Sequence, residues 1–544
     1  MFNTQKLNQF GTQRYALLFL PGTYGSTTDP LVFQVGYDTE VAGLGASPSD
    51  VHIVGHVDVY NQCDAGGCIA LNNFWRSISN LTIDVAGETG CRATAEFWAV
   101  SQASPMRRVD VNGPLSFMDY CTAGPQFASG GFLADSRTQG VVNGSQQQFV
   151  VRDSAIGTWS NGVWNQVFSG VQGAPAQSFG QPGANPYTTL ATTPVSKEKP
   201  YLYVDAAGRW QVRVPAARTA SSGTTWAGGL TPGRSIPLSD FFVARPGDPV
   251  SRIDSALAQG RNLLLTPGVY DVDRTIAVKR AGTVVLGLGM ATLTAQRGAV
   301  AMAVADEPGI DVAGITFDAG AVTSPVLLQV GDDHGRHRGR DGSTAADPIA
   351  LQDVFFRIGG PHAGRAAVSL RVDADHTVLD DIWAWRADHG DGVGWTANTA
   401  ANGVLVTGDD VTATGLFVEH YQQYNVVWTG DRGRTVFFQN ELPYDAPDQA
   451  AWSHDGVDGW AAYKVGDRVR DHEAWGLGSY IFTNVNPTLH ATNALEVPGT
   501  PGVRMHDLLT VSLNGAGTID HVINGVGAAV TPTRAGPEDV VAYP

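Results

Sequence analysis

Two glutamates carry the strongest hint of chemistry in this chain. Glu419 and Glu441 lie 22 residues apart, in the runs GLFVEH and TVFFQNE. If one turn of a stacked chain takes that many residues, the carboxyls sit one above the other at the ~4.8 Å spacing of neighbouring strands. Carboxylates that close resist joint ionisation, so one pKa rises, and a general acid stays protonated near neutral pH. The plainer alternative is two exposed glutamates on separate strands. Ser145, Gln146, Gln147 and Gln148 form an unusual polar run, and Gln147 precedes Ser169 by the same 22 residues. A stacked amide and hydroxyl would hold one water; the alternative is an amide ladder on a surface.

Aromatic residues gather in the same region: Trp385, Trp395, Phe417, Tyr421, Tyr424, Trp428, Tyr444, Trp452, Trp460 and Trp475. Sugar rings lay their C–H faces on such planes, and neighbouring carboxylates bond their hydroxyls. Without the carboxylates the same aromatics read as core. No phosphate loop, dinucleotide fingerprint, HExxH or convincing GxSxG is present. Asp380, Asp381, His389 and Asp391 match the paired aspartates of pectin hydrolases poorly, because His389 follows an aspartate and comes too soon after Asp381.

These side chains must be placed by strands. Short runs rich in Val, Ile and Phe, among them VHIVG, NLTIDV, TVVLGLG, GVLVTG and TVFFQNE, alternate with Gly, Asn and Asp turns, and helical periodicity is nearly absent. Tight hairpin turns are missing between them, and spacings often fall near 22 residues. That pattern favours an all-β parallel solenoid over a sandwich or propeller. The chain also repeats itself. ALLFLPGTYG at 16–25 returns as LLLTPGVYDV at 263–272, and the glycine turn ending at Gly45 returns at Gly289, with offsets of 246 at Pro21/Pro267 and 244 at the glycines. The expected organisation is a first β-helix at 1–190, a linker with closing strands at 191–245, and a second β-helix at 246–544. SRIDSALAQG at 251–260 reads as a short capping helix, and GDDHGRHRGRDG at 331–342 as an exposed charged loop.

Composition supplies bounds. In 544 residues there are 65 glycines, 16 % charged residues, 43 % hydrophobic residues and a net charge of −17. This excludes long charged helices and disorder, and it disfavours nucleic acid, anionic membranes and polyanionic substrates. No apolar run is long enough to span a bilayer, and the opening residues lack the pattern of a secretory leader. Cys63, Cys68, Cys91 and Cys121 all fall in the first quarter, as expected for two disulfides of an exported protein, with three pairings open. Their spacing is poor for zinc, and no metal or organic cofactor is expected.

Blocks along nearly the whole chain, including LLFLPGTYG, NNFWRSISNLTI, SGGFLADSRTQGVVNGSQQQF, TPVSKEKPYLYVD, WRADHG, GDDVTATGLFVEHYQQYNVVWTGDRGRTVFFQNELPYD and HEAWGLGSY, resemble glycoside hydrolase family 55. The resemblance implies two tandem right-handed parallel β-helices. It also implies an extracellular exo-β-1,3-glucanase that inverts configuration and releases mainly glucose from the non-reducing end of laminarin. Glu441, in FFQNELPYD, would be the general acid and Glu419 the second important glutamate. The attacking water would fall to the SQQQ run, with Gln147 and Ser169 chosen by spacing and Ser145, Gln146 and Gln148 as alternatives. Tyr421, Trp428, Tyr444, Trp475, Glu473 and His389 are the expected substrate contacts. A monomer is expected. The competing readings are a pectin-type lyase or hydrolase and a non-catalytic glycan-binding tailspike or adhesin. The former needs cations, and Arg386, Arg432, Arg434 and Lys464 are few.

Overall fold

The computed structural model describes residues 1–331 and 342–544. Most of the charged loop read at 331–342 therefore lies outside the described residues. The chain is all-β with mostly parallel strands. It divides into two compact units, Met1–Phe241 with Leu265–Gly268 and Gly287–Ala291, and the remainder.

In the first unit a parallel path runs through Tyr15–Phe19, Thr39–Gly43, Arg76–Val85, Met106–Ser116, Phe132–Ala134, Gln148–Arg152, Asn165–Ser169 and Tyr187–Leu190. Its interior is apolar, with Val41, Ile53, Ile78, Leu81, Val109 and Phe149 among the buried side chains. The KPYLYVD and RWQVRVP segments form the antiparallel strands Tyr201–Val204 and Trp210–Pro215. The cysteines pair as Cys63–Cys68 and Cys91–Cys121.

In the second unit the chain alternates between two parallel sheets. One contains Asp311–Ala319, Ile349–Ile358, Thr377–Arg386, Thr412–Glu419, Gly433–Glu441, His472–Ile481 and Val503–Ser512; the other passes through Ala366–Val372, Asn402–Val406, Val426–Trp428 and Tyr463–Val465. The expected short helix spans Val250–Ala258 and buries Val250, Ile253, Ala256 and Leu257 on one face.

Register in the first of these sheets shows how the coils align. Ile315, Val354, Ile382, Leu416, Phe438, Leu477 and Leu508 are successive partners, and all are fully buried. Each such side chain withdrawn from water contributes about 1.5–3 kcal/mol. The residue just before each of them is left-handed: Gly314, Asp353, Asp381, Gly415, Phe437, Gly476 and Asp507 have φ of 67°, 51°, 62°, 71°, 71°, 70° and 58°. A left-handed residue turns an extended strand sharply, so this column bends every strand at the same height.

The expected 22-residue coil holds between Leu416 and Phe438 but not on either side, where Ile382 pairs Leu416 and Phe438 pairs Leu477. In the first unit Gln148 pairs Asn165 and Arg152 pairs Ser169, a shift of 17. Gln147 and Ser169 are therefore not stacked, which corrects the pairing inferred from spacing. The reason is loop length: parallel strands fix their register by backbone bonding and interior packing, while the connections between them vary freely.

Candidate active site

Three residues beyond the buried column, each strand reaches a second common level. Its partners are Asp318 and Arg357, Arg357 and Trp385, Trp385 and Glu419, then Glu441 and Tyr480. Continuing the register of Phe417 and Gln439 sets Glu419 beside Glu441, and the His420 N–H donates to the Glu441 carbonyl oxygen at 2.8 Å. The expected stacking of the two glutamates is what the strands deliver. Neither carboxyl is on open surface, since Glu419 is 3 % and Glu441 7 % exposed.

Their surroundings differ. The indole N–H of Trp383 donates to Glu419 Oε2 at 2.8 Å, and Trp383 is itself stacked on Trp385. Burial lifts the Glu419 carboxyl well above the usual carboxylate range. The charges of Glu441 and Asp388 push the same way, and the hydrogen bonds from Trp383 and Gln439 offset only part of this. Glu441 instead accepts a short hydrogen bond at Oε2 from the Tyr444 hydroxyl. Burial and then the Glu441 charge keep that phenol protonated well above its ordinary range, so it serves as a donor.

A ring of other groups frames the pair. His420 Nδ1 faces the Leu442 carbonyl oxygen at 3.2 Å, which assigns the proton to Nδ1. Its Nε2 is 3.9 Å from Glu441 Oε2, beyond hydrogen-bond reach, and its ring meets Tyr444 edge-on at 4.4 Å. His389 hydrogen-bonds Asp388 at 2.9 Å and lies edge-on to Trp385 at 5.2 Å. Burial works against the Asp388 charge, yet the His389 hydrogen bond and the charges of His420 and His389 bring its carboxyl down to about 2. Arg386 fastens the adjoining turns. It grips Asp445 with two nitrogens at 2.8 and 2.7 Å and donates to the carbonyl oxygens of Asn398, His420 and Gly394.

Of the expected site residues, the strands thus gather Glu419, Glu441, Tyr444 and His389. Tyr421 and Trp428 are fully buried. Tyr421 bonds Ser369 Oγ at 2.5 Å, and Trp428 packs on Tyr463 and His472, so both are core side chains and not sugar platforms. Glu473 and Trp475 pair with Arg434 and Val436 at the far end of their strand from Tyr480. There Glu473 binds Arg504 and His506. In the first unit Gln146 donates to the carbonyl oxygens of Val100 and Phe117, Ser169 bonds Thr193, and Gln147 and Gln148 are buried; Ser145 is left-handed at φ 59° and partly exposed. Sequence reasoning did not single out Trp383, Gln439, Asp388, His420 or the Arg386–Asp445 pair. The WRADHG and FVEHYQ runs, each a polar cluster across a strand end, carried that signal for Arg386, Asp388 and His420.

A parallel all-β chain with two stacked, buried glutamates in a frame of indole, phenol and imidazole groups has the makings of a glycan hydrolase. The chain belongs to glycoside hydrolase family 55. Residues 241–441 match the LAM55 pectate lyase-like domain. The chain is 49 % identical over its full length, and over 86 % of the relative, to a protein named exo-beta-1,3-glucanase from Streptomyces sp. (strain SirexAA-E / ActE). Among solved structures, sacteLam55A from Streptomyces sp. SirexAA-E superposes with a TM-score of 0.93 at 49 % identity, covering 100 % of this chain and 95 % of that one. A glutamate-to-alanine variant of sacteLam55A in complex with glucose gives 0.92 at 48 % identity, covering 100 % and 94 %.

Proposed function

We propose that this chain is an exo-acting β-1,3-glucanase in which Glu441 delivers the proton to the departing glycosidic oxygen. The observation that carries the assignment is the stacked pair. Two buried carboxyls on adjacent strands disfavour joint ionisation, and burial with the Glu441 charge beside it holds the Glu419 carboxyl well above the usual carboxylate range. Glu441, the more exposed of the two and bonded by the Tyr444 hydroxyl, presents its carboxyl to substrate.

We further propose that hydrolysis inverts the anomeric centre, and that each compact unit is one right-handed parallel β-helix of a duplicated pair. The second idea is supported by the recurring PG segments, which fold as Tyr15–Phe19 with Gly22–Tyr24 and as Asn262–Leu265 with Val269–Val272. The two disulfides support an extracellular location. The attacking water is not assigned to Gln147 and Ser169, whose stacking the register removes.

A pectin-type reading loses ground at the cations it would need. Arg386 is held by Asp445, Arg432 by Asp409 and Asp410, and Lys464 by Glu496. Incubation with laminarin and with polygalacturonate should release reducing sugar from laminarin alone. Glu441→Gln is expected to lower kcat on laminarin by ~10³-fold or more in a folded protein, and NMR of the first wild-type product should show α-glucose. Near-full activity of the variant would remove Glu441 from the acid role, and an initial β-anomer would remove inversion.

A further inference from the structure

The first unit contains a second cluster of ionisable groups that the hydrolytic reading does not use. His56 and Asp58 lie two residues apart on the strand Val51–Asp58, on the face opposite the buried Val57, and Glu96 begins the short strand Glu96–Phe97. All three side chains are within 1 % of complete burial. His56 Nδ1 is 3.6 Å from Asp58 Oδ1 and 3.4 Å from Glu96 Oε2. Both nitrogens of His56 and Oε2 of Glu96 lack a hydrogen-bond partner.

The carboxylates are nevertheless fixed in place. Glu96 Oε1 accepts the Val57 N–H at 3.0 Å, Asp58 Oδ1 accepts the Phe97 N–H at 2.9 Å, and Asp58 Oδ2 accepts the Tyr60 hydroxyl at 2.5 Å. Glu96 Oε2 is left without a partner and Asp58 Oδ1 takes a single amide, both beside the same imidazole nitrogen, and one ligand atom from each of the three residues lies within 4.8 Å of the others.

The separations discriminate between two ways of holding such a cluster. A charge-assisted hydrogen bond draws its atoms to ~2.7–2.9 Å. Ligands bound at ~2.0–2.1 Å around a tetrahedral ion stand about 3.3–3.4 Å apart instead. The observed 3.4 and 3.6 Å belong with the second case. Of the nearby cations, Arg92 is engaged bidentately with Asp119.

We infer that His56, Asp58 and Glu96 bind one divalent transition-metal ion, for which zinc is the best match to one imidazole and two carboxylates. A water completes the tetrahedron, and Tyr60 orients Asp58 from outside it. Full burial makes the ion structural: it ties the segment that follows Cys91 to the strand Val51–Asp58, and its binding energy becomes folding energy.

The test uses the full chain freed of any affinity tag. Metal analysis after zinc loading and dialysis should find one equivalent per chain in the wild type. Cobalt loading should give the visible absorption of a tetrahedral site, and zinc should raise the Tm of the chelator-treated protein. Glu96→Gln, nearly isosteric, should fold, lose that equivalent, and show no zinc-dependent rise in Tm. Tyr60→Phe should retain the ion with affinity weakened ~10–100-fold. Sub-stoichiometric zinc in the wild type would overturn the inference, as would an equivalent that persists in Glu96→Gln. Should Glu96→Gln fail to fold, the stoichiometry and cobalt spectrum of the wild type, with the graded loss in Tyr60→Phe, decide the question.

Discussion

Glu419 and Glu441 are the same residue type at the same level of neighbouring strands, yet their surroundings differ. Burial and then the Glu441 charge raise the Glu419 carboxyl, so removing that charge lowers it. Glu441→Gln should therefore move the titration of the Glu419 carboxyl, followed by NMR, to lower pH. A titration that stays in place would show the two glutamates to be uncoupled. This pair was legible in the sequence because the single coil between them carries no insertion. Trp383 and Asp388 were not, since their approach to Glu419 crosses a longer connection whose path no spacing rule supplies. His56, Asp58 and Glu96 were hidden for the same reason, as an H-x-D pair and a distant glutamate.

At the scale of strands and turns, the column of left-handed residues sets what each coil can tolerate. Three of the seven positions are glycine, three are aspartate and one is Phe437. An alanine there costs about 1–2 kcal/mol of backbone strain, while Asn and Asp enter that conformation more readily. Gly415→Ala should lower stability by about that much in denaturant unfolding, and Gly415→Asn by less. The reverse order would mean that side-chain room, not backbone hand, rules the corner. Short strands and their parallel pairing could be read from alternating Val, Ile and Phe between turn residues. The corner could not, because an aspartate inside a strand run carries no mark of its backbone hand. The aromatic cluster misled for a related reason: Trp428 and Tyr421 resemble sugar platforms in composition, and only the register reveals that they point into the core.

Across the whole molecule, a net charge of −17 repels an anionic polymer, and Arg386, Arg432 and Lys464 are already engaged with carboxylates. Encounter with a neutral glucan involves no counterion release, so kcat/KM on laminarin should vary by less than about twofold as ionic strength rises from about 0.01 to 1 M. A steep salt dependence would point to a charged substrate. The bend shared by successive strands has a consequence for how such a chain can change over time. Leu416 reaches its partner after 22 residues and Phe438 after 39, yet both are brought to the same height. Each bend acts as a fresh origin from which the next few residues are counted, so length gained or lost between coils is absorbed before the strand reaches its reactive level. Loops between coils can thus be lengthened, trimmed or exchanged while Glu419 and Glu441 stay in step.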